Sequence, residues 1–598
     1  MTIVPMARVT LAGAAADKAA ALEALQALGV LHVTPLAARD PLEPGDPAVR
    51  RRAETAFRHV MDSPEKLRPW RPGHAFDPEA VTAEIMANRL RLRQFADRRD
   101  ELRALAEGLE PWGDFTLPPP GEIGGQRLWL YLLPRKERAA LDRLALPWAV
   151  VGATHTALEV VVIAPEEPGP DLLPVARTPA GEAPLSALQA ELEEVDIEHE
   201  RAEMARAELS RWRLLLGADL AAAQDRDERG EVGRQTHDDD GFFAVQGWAP
   251  ADAAPALDRL AAAHGLAALI EPPGEGDAPP TLLRPRGDRW AIGADLTNFY
   301  ATPGYRSWDP SLIVFASFAV FFAMIVADAG YAALFALGTA AFWGRLGRSA
   351  QGRRLRALLA GLCGAALVYG VLAGSYFGMH PPEGGVLARL RVIDVADFQA
   401  MMRLSVAIGA LHIALALGTV AWLNRGTPGA LTALGWIGVL AGGLGLFLGT
   451  RLGAAPLVLG LGAVFWGAAA TRPAAGPVAG PRDWLLRLGD GLIGLTGITK
   501  LFGDVLSYLR LFALGLASAS LAATFNELAA GLRAGEPGIG ILLSILVLLF
   551  GHAINVAIGA MSGVVHGLRL NYVEFFGWGL TEEGYPFRAF AKRESPAQ

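Results

Sequence analysis

The rhythm of apolar and polar positions changes near Trp308. Before it, charges are dense and apolar runs are short; after it, apolar runs dominate. The main domain boundary is therefore expected there, between 1–307 and 308–598. In the first half, three stretches read as small α/β lobes, at 1–40, 120–170 and 240–272. In the first, Arg8-Val9-Thr10-Leu11 has strand character. Asp17 to Leu28 reads as a helix with Leu22 and Leu25 on one face, and Val30-Leu31-His32-Val33 as a strand after Gly29, a good helix stop. The second has a strand at Leu128-Trp129-Leu130-Tyr131-Leu132, a helix from Arg135 to Leu144, and strands at Trp148 to Val151 and Leu158 to Ile163. The third has a strand at Phe243 to Trp248 and a helix from Ala251 to His264.

Two long polar helices separate these lobes. Residues 78–109 place Val81, Ile85, Leu92, Phe95, Leu102 and Leu109 near 4-3 spacing; residues 185–216 do so with Leu185, Leu188, Leu192, Val195, Leu209 and Leu216. Asn88, Arg99 and His199 interrupt the seams. The pattern predicts an α+β bilobed domain joined by an antiparallel coiled-coil hairpin. The first and third lobes would share its proximal end and the second would sit at the distal tip. The alternative is one compact α/β domain with surface helices. Pro272 to Pro285 reads as a linker, and Asp295 to Pro310 as the approach to a membrane.

The second half reads as an α-helical polytopic membrane domain. Residues 311–343 are apolar but interrupted by Asp328 and Gly330. As one helix they would span roughly 50 Å, against a hydrocarbon core of about 30 Å. Either one tilted helix projects from the bilayer, or a hairpin turns near Ala327-Asp328-Ala329-Gly330. The following loop carries Arg345, Arg348, Arg353, Arg354 and Arg356, which marks it as cytoplasmic. Only a hairpin puts it on the side of the N-terminal half, with Asp328 near the far face. Further spans are expected at 357–378, 402–423, 430–449, 454–471, 504–532 and 538–576, about eight in all with the hairpin. Trp484 to Gly503 is amphipathic and reads as an interfacial helix. The loop Arg472 to Arg487 and the C-terminus are expected inside.

Composition agrees with this division. Of 598 residues 52% are hydrophobic and 68 are glycine, above ordinary soluble usage. The net charge of -8 suggests no nucleic-acid partner. The single cysteine, Cys363, rules out an intrachain disulfide and a Cys-based zinc site. No cofactor is expected, since neither a Walker-type phosphate loop nor a metal-ligand cluster occurs in the sequence. Met1 to Leu11 lacks the basic start and apolar core of a signal peptide, so the N-terminal half is expected to stay in the cytoplasm.

Two arginines stand out against the apolar background. Arg510 lies in Leu506-Ser507-Tyr508-Leu509-Arg510-Leu511-Phe512, and Arg569 in Val565-His566-Gly567-Leu568-Arg569-Leu570. A charge inside a bilayer costs at least a few kcal/mol, so it is partnered, hydrated or functional. Arginine keeps its proton at any working pH, which suits it to face a carboxylate that must lose one. The bland alternative is that both snorkel to the interface or pair with internal acids.

With these residues in view, the chain resembles the membrane-embedded a subunit (subunit I in prokaryotes) of V-type and archaeal-type rotary ATPases. The resemblance rests on Ser507-Tyr508-Leu509-Arg510-Leu511, on His566-Gly567-Leu568-Arg569-Leu570 followed by Val573-Glu574-Phe575, and on Asp328-Ala329-Gly330-Tyr331. Gly374-Ser375-Tyr376-Phe377-Gly378 and Ala244-Val245-Gln246-Gly247-Trp248 agree as well. The chain departs from the family where Ala327 and Ala332 replace glycines, and Ser518 and Gly559 stand where some eukaryotic members carry histidine and glutamate.

The resemblance implies a stator subunit, not an enzyme by itself. Arg510 and Arg569 would face a rotating proteolipid c/K ring and block direct leakage between two offset half-channels. Candidate half-channel residues are Asp328, His412, Asp504, Asn526, Glu527, His552, Asn555, His566 and Glu574. Each alone is equally readable as a satisfied structural polar group. Implied partners are the ring, E/G-type peripheral stalk subunits, a d/C subunit on the central stalk, and the lipid bilayer. The implied place is a prokaryotic plasma membrane. Two other classes remain: a secondary transporter, which predicts inverted repeats that the sequence lacks, and a membrane-anchored scaffold, which has no need of the arginines.

Overall fold

The computed structural model describes residues 2–36, 47–71, 73–169, 173–178, 183–285, 287–382, 384–471, 481–535, 538–580 and 582–593. Arg472, the middle of the loop Gly535-Glu536-Pro537-Gly538 and the C-terminal end lie outside the described residues. The chain divides into two compact units. One comprises Met1–Asp17, Val30–Leu36 and Asp238–Ala589; the other comprises Lys18–Gly29, Ala37–His237 and Phe590–Gln598. Neither ends at Trp308, because the strands of the first lobe and the whole third lobe fall with the membrane helices, while the first lobe's helix falls in the other unit.

The second unit is built on paired helices. Asp77 caps Pro78–Leu109, its side chain accepting from the amides of Glu79 and Ala80, with Pro78 pre-set for the first turn. The opposing helix, Leu185–Leu209, continues through a tight turn at Ser210–Trp212 into Arg213–Gln235, well past the expected end at 216. Asn88 Nδ2 donates to the Ala202 carbonyl at 2.8 Å, Arg98 Nε to Glu191 at 2.9 Å, and Leu102 clusters with Leu188. Rising numbers on one helix meet falling numbers on the other, so the pair is antiparallel. Both ends of the Asn88 amide are engaged, its Oδ1 lying 3.1 Å from His59 Nε2. A buried, paired Asn at a seam fixes register. The unforeseen helix Pro47–Met61 brings Ala56 and Val60 against Val81, Ile85, Leu209 and Leu216. At the other end, Leu130 of the second lobe joins Leu102, Leu109 and Leu188. That lobe is an antiparallel sheet with Ala157–Ala164 between Arg127–Pro134 and Trp148–Ala153. Arg135–Arg143 forms 3₁₀ turns, not the expected α-helix; it buries only Leu141 and has no apolar stripe to hold an α-helix in place.

In the first unit, the first and third lobes share one antiparallel sheet, ordered His32–Thr34, Phe242–Pro250, Met6–Ala14, Ala267–Glu271. Gly247 is required there, since a Cβ would stand 2.3 Å from the His32 carbonyl oxygen. The expected linker after Pro272 is fastened: Leu283–Arg284 pairs with Thr2–Ile3, and Arg8 reaches Asp277 at 3.2 Å.

The membrane part starts with two short apolar helices, Ser311–Val326 and Ala329–Ala341. Ala327 between them has φ of 49°, and Asp328 caps the second. Both pack on Ala350–Ala373. Phe315 meets Gly361, Ala329 meets Gly370, and Thr339 lies 3.9 Å from Cys363. The contacts climb and then descend along that helix, so the chain reverses at Ala327-Asp328. Among the described residues, six further helical runs are long and apolar enough to cross a membrane: Ala350–Ala373, Phe398–Leu423, Pro428–Phe447, Arg451–Ala470, Arg482–Ala534 and Ile539–Gly579. Pro428–Phe447 and Ala454–Ala470 meet through glycines; a Cβ on Gly442 would lie 2.4 Å from the Leu457 nitrogen.

Pro481–Leu495 and Gly497–Ser507 cross their neighbours. Gly491 meets Phe465, Gly497 meets Trp436, and Asp504 Oδ2 accepts from Trp578 Nε1 at 2.7 Å. A helix that touches successive neighbours in turn lies across the bundle. The expected interfacial stretch thus runs on through Asp504, and the steep span begins after the break at Tyr508, with Leu509–Gly535.

Candidate functional site

Leu509–Gly535 and Ile539–Arg569 are neighbours running in opposite directions: Ser518 Oγ donates to Asn555 Oδ1 at 3.2 Å, while farther along Asn526 Oδ1 lies 3.1 Å from His552 Nε2. This pairing carries Arg510 toward the level of His566 and Arg569. Arg510 and Arg569 lie within charge–charge range of one another, and His566 within range of both. Arg510 is half-buried with Nη1 lacking any hydrogen-bond partner, and Arg569 is exposed. No carboxylate among the described residues comes within ion-pair distance of either guanidinium. Internal pairing therefore does not account for them.

Just past Arg569 the helix widens into a π-helical stretch, Leu570–Phe575, a local defect common at functional sites. Glu574 sits in it, 1% exposed, with Oε2 unpartnered. It faces the charges of Arg510 and Arg569 from beyond ion-pair distance. His412 lies close by: its Nδ1 is 2.8 Å from the Tyr508 hydroxyl, and its ring stacks on Phe575 at 4.3 Å. Gly409 makes room for Tyr508, since a Cβ there would come within 2.6 Å of its ring. Asp504 is engaged by Trp578, and Lys500 donates to the Gly577 carbonyl at 3.0 Å.

A second polar group lies toward the reversal at Asp328. Asn526 Nδ2 donates to the Phe377 carbonyl, and its oxygen faces His552. His552 Nδ1 is 2.7 Å from the Tyr331 hydroxyl, and Asn555 Nδ2 donates to that hydroxyl and to the Ser518 carbonyl. The result is an unbroken row from Asn526 through His552, Tyr331 and Asn555 to Ser518, two turns from Arg510. Asp328 stands beside the row, not in it. Its oxygens accept from the Tyr331, Phe377 and Gly378 amides and from the Ser375 hydroxyl, at 2.6 to 3.0 Å. Glu527 is exposed and outside both groups.

The structure thus brings His566 and Glu574 within charge range of the arginines, sets His412 against Tyr508 and Phe575 and Asp504 against Trp578, and joins Asn526, His552 and Asn555 in the row. Tyr331, Tyr508 and Ser518 were not singled out as site residues. Tyr331 and Tyr508 lie inside the motifs that carry the resemblance, which was the available signal; Ser518 had been noted only as a departure.

No family model matches the chain. A curated V-type ATP synthase subunit I of Treponema pallidum is 27% identical over 676 residues, covering 99% of this chain and 100% of that protein. The chain is similar to subunit I of V- and A-type ATP synthases. The subunit I of Chlamydia pneumoniae is 29% identical over 419 residues, 58% of this chain and 61% of that protein. The A-type subunit I of Methanocaldococcus jannaschii is 28% identical over 476 residues, covering 71% and 66%. The chain thus spans about six-tenths of the length of the first curated relatives it matches. A crystal structure of the cytoplasmic N-terminal domain of a subunit I covers 44% of the chain at 17% identity; its TM-score of 0.22 is too low to support a shared fold. Its apolar helices and these relatives mark the chain as a membrane protein.

Proposed function

We propose that the chain is the static membrane subunit of a V/A-type rotary ATPase, non-catalytic by itself, which passes protons between two half-channels along a proteolipid c/K ring. The observation that carries this reading is the pair of guanidiniums on adjacent antiparallel helices, within range of each other and ion-paired with no carboxylate among the described residues. A fixed cation beside a lipid-facing carboxylate favours its ionised form. Arg510 and Arg569 serve the ring's carboxylates in turn and keep a proton from crossing directly between half-channels.

The row from Asn526 to Ser518 forms the half-channel on the Asp328 side, with His552 and Tyr331 as its titratable members. Glu574, His412, His566 and Asp504 form the opposite one. Asp328 holds the turn that shapes the first. Eight membrane helices, counting the two short ones, carry these groups. The paired helices of the N-terminal half act as a coiled-coil hairpin that resists torque; its lobes bind E/G-type peripheral stalks, with a d/C subunit on the central stalk. In a prokaryotic plasma membrane, the N-terminal domain and the C-terminus lie in the cytoplasm.

Proton pumping by the reconstituted complex tests the assignment. Arg510→Ala should abolish coupled transport at normal complex yield. Arg510→Lys should also fail, because lysine is a point charge whose pKa falls in a low-dielectric site. Near-normal pumping by the alanine variant would refute the role.

A further inference from the structure

The turn between the second short apolar helix and Ala350–Ala373 is a surface that the transport reading does not use. No acidic residue occurs from Ala329 to Pro382, yet that stretch holds five arginines within 345–356. Arg354 is neutralised, reaching both oxygens of Asp295 at 3.0 and 3.1 Å, and Arg353 is engaged as well. Arg345 and Arg348 are exposed and make no side-chain hydrogen bond or ion pair among the described residues. Arg356 lies over the Trp343 ring, its guanidinium carbon 4.4 Å from the centroid. Beside them Phe342 and Trp343 are 58% and 45% exposed, at the end of a helix whose Leu337 is also exposed.

Cations above an exposed indole, at the foot of a helix with exposed apolar side chains, suit one environment. The ring sits at headgroup depth, and the guanidiniums reach the phosphates. The uncompensated positive charge names the sign of the partner, and the apolar flank names its phase. We propose that Arg345, Arg348 and the Arg356–Trp343 stack form a docking site for the phosphate headgroup of an anionic phospholipid in the leaflet on the Asp295 side.

The site does not rest on the ion-transport reading, since its residues are remote in sequence from Arg510 and Arg569. It is tested on the full chain in detergent, incubated with phosphatidylglycerol, phosphatidylcholine or inorganic phosphate, with retained lipid counted by native mass spectrometry. Wild-type protein should retain phosphatidylglycerol over phosphatidylcholine. The double variant R345Q/R348Q should bind phosphatidylglycerol about 30-fold more weakly, from roughly 1 kcal/mol per interfacial cation. R345K/R348K should retain it, which separates loss of charge from loss of fold. Equal retention by wild type and R345Q/R348Q, or of both lipids by wild type, would overturn the proposal. So would displacement of the lipid by inorganic phosphate, which would mark an adventitious ion only.

Discussion

Asp328 shows how a carboxylate in a membrane protein is assigned by its partners. A charge in an apolar helix invites a transport role. Here each oxygen accepts two hydrogen bonds, from three backbone amides and one hydroxyl in all, and the residue is 4% exposed. It works as a cap and a pin that holds Ser375 to Gly378 against the start of the second short helix. Asp328→Ala would leave buried donors unpaired, at about 1–3 kcal/mol each. Thermal unfolding in detergent should show a large loss for alanine and a smaller one for Asp328→Asn, which keeps one acceptor oxygen. An alanine variant as stable as wild type would sink the structural role. The sequence exposed the residue and its motif but not this outcome, because three of the four donors lie 47 to 50 positions away. The same distance hid the row at His552: its members were visible as polar residues in apolar helices, but their connection through Tyr331 was not.

At the scale of elements, long amphipathic patterns were legible and close backbone contacts were not. The helix 78–109 is where its seam put it, because a three-four repeat of apolar residues admits few alternatives. The glycine contacts between Pro428–Phe447 and Ala454–Ala470 looked only like apolar sequence, since glycine at an interface is invisible until its neighbour is known. The segment after the last membrane helix is a further case. Glu583–Gly584 pairs with Thr302–Pro303, Phe587 N donates to the Thr281 carbonyl, and Arg588 N donates to His32 Nδ1 at 2.9 Å. Accepting that amide requires a neutral ring. Burial pushes the His32 pKa below its ordinary 6.5, and the Arg588 charge adds to the shift. The folded state therefore binds fewer protons at this site than the unfolded chain. Its stabilising contribution is full above about pH 6.5 and is lost as pH falls below that value. Wild type should lose more thermal stability between about pH 7 and 5 than His32→Gln, which cannot titrate. Equal slopes would remove His32 as the sensor of this strap.

For the whole molecule, the decisive question is which loops share a side of the membrane. Charge counting put the arginine-rich loop 344–356 with the N-terminal half, and that argument used no geometry. Within the membrane part, the contacts fix the course of the chain without reference to charge counting. Asp295 precedes the first short helix, and Arg354 opens Ala350–Ala373; their ion pair fixes both at one end of the bundle. The contacts of Phe315, Ala329 and Thr339 along Ala350–Ala373 then put Asp328 at the other end. A single tilted helix over 311–343 cannot meet one neighbour in both ascending and descending order. Single cysteines in a Cys363→Ser background should therefore react from opposite sides: at Arg348 from the side that carries the N-terminal domain, and at Val392, 78% exposed, from the other. Cys363 is buried beside Thr339, so serine keeps a small hydroxyl partner there and the background should fold. If position 348 were labelled only from the side opposite the N-terminal domain, the reversal at Ala327-Asp328 would be wrong. The half-channel assignments would fall with it, because the row at His552 is placed in the bilayer only by the end at which Asp328 stands.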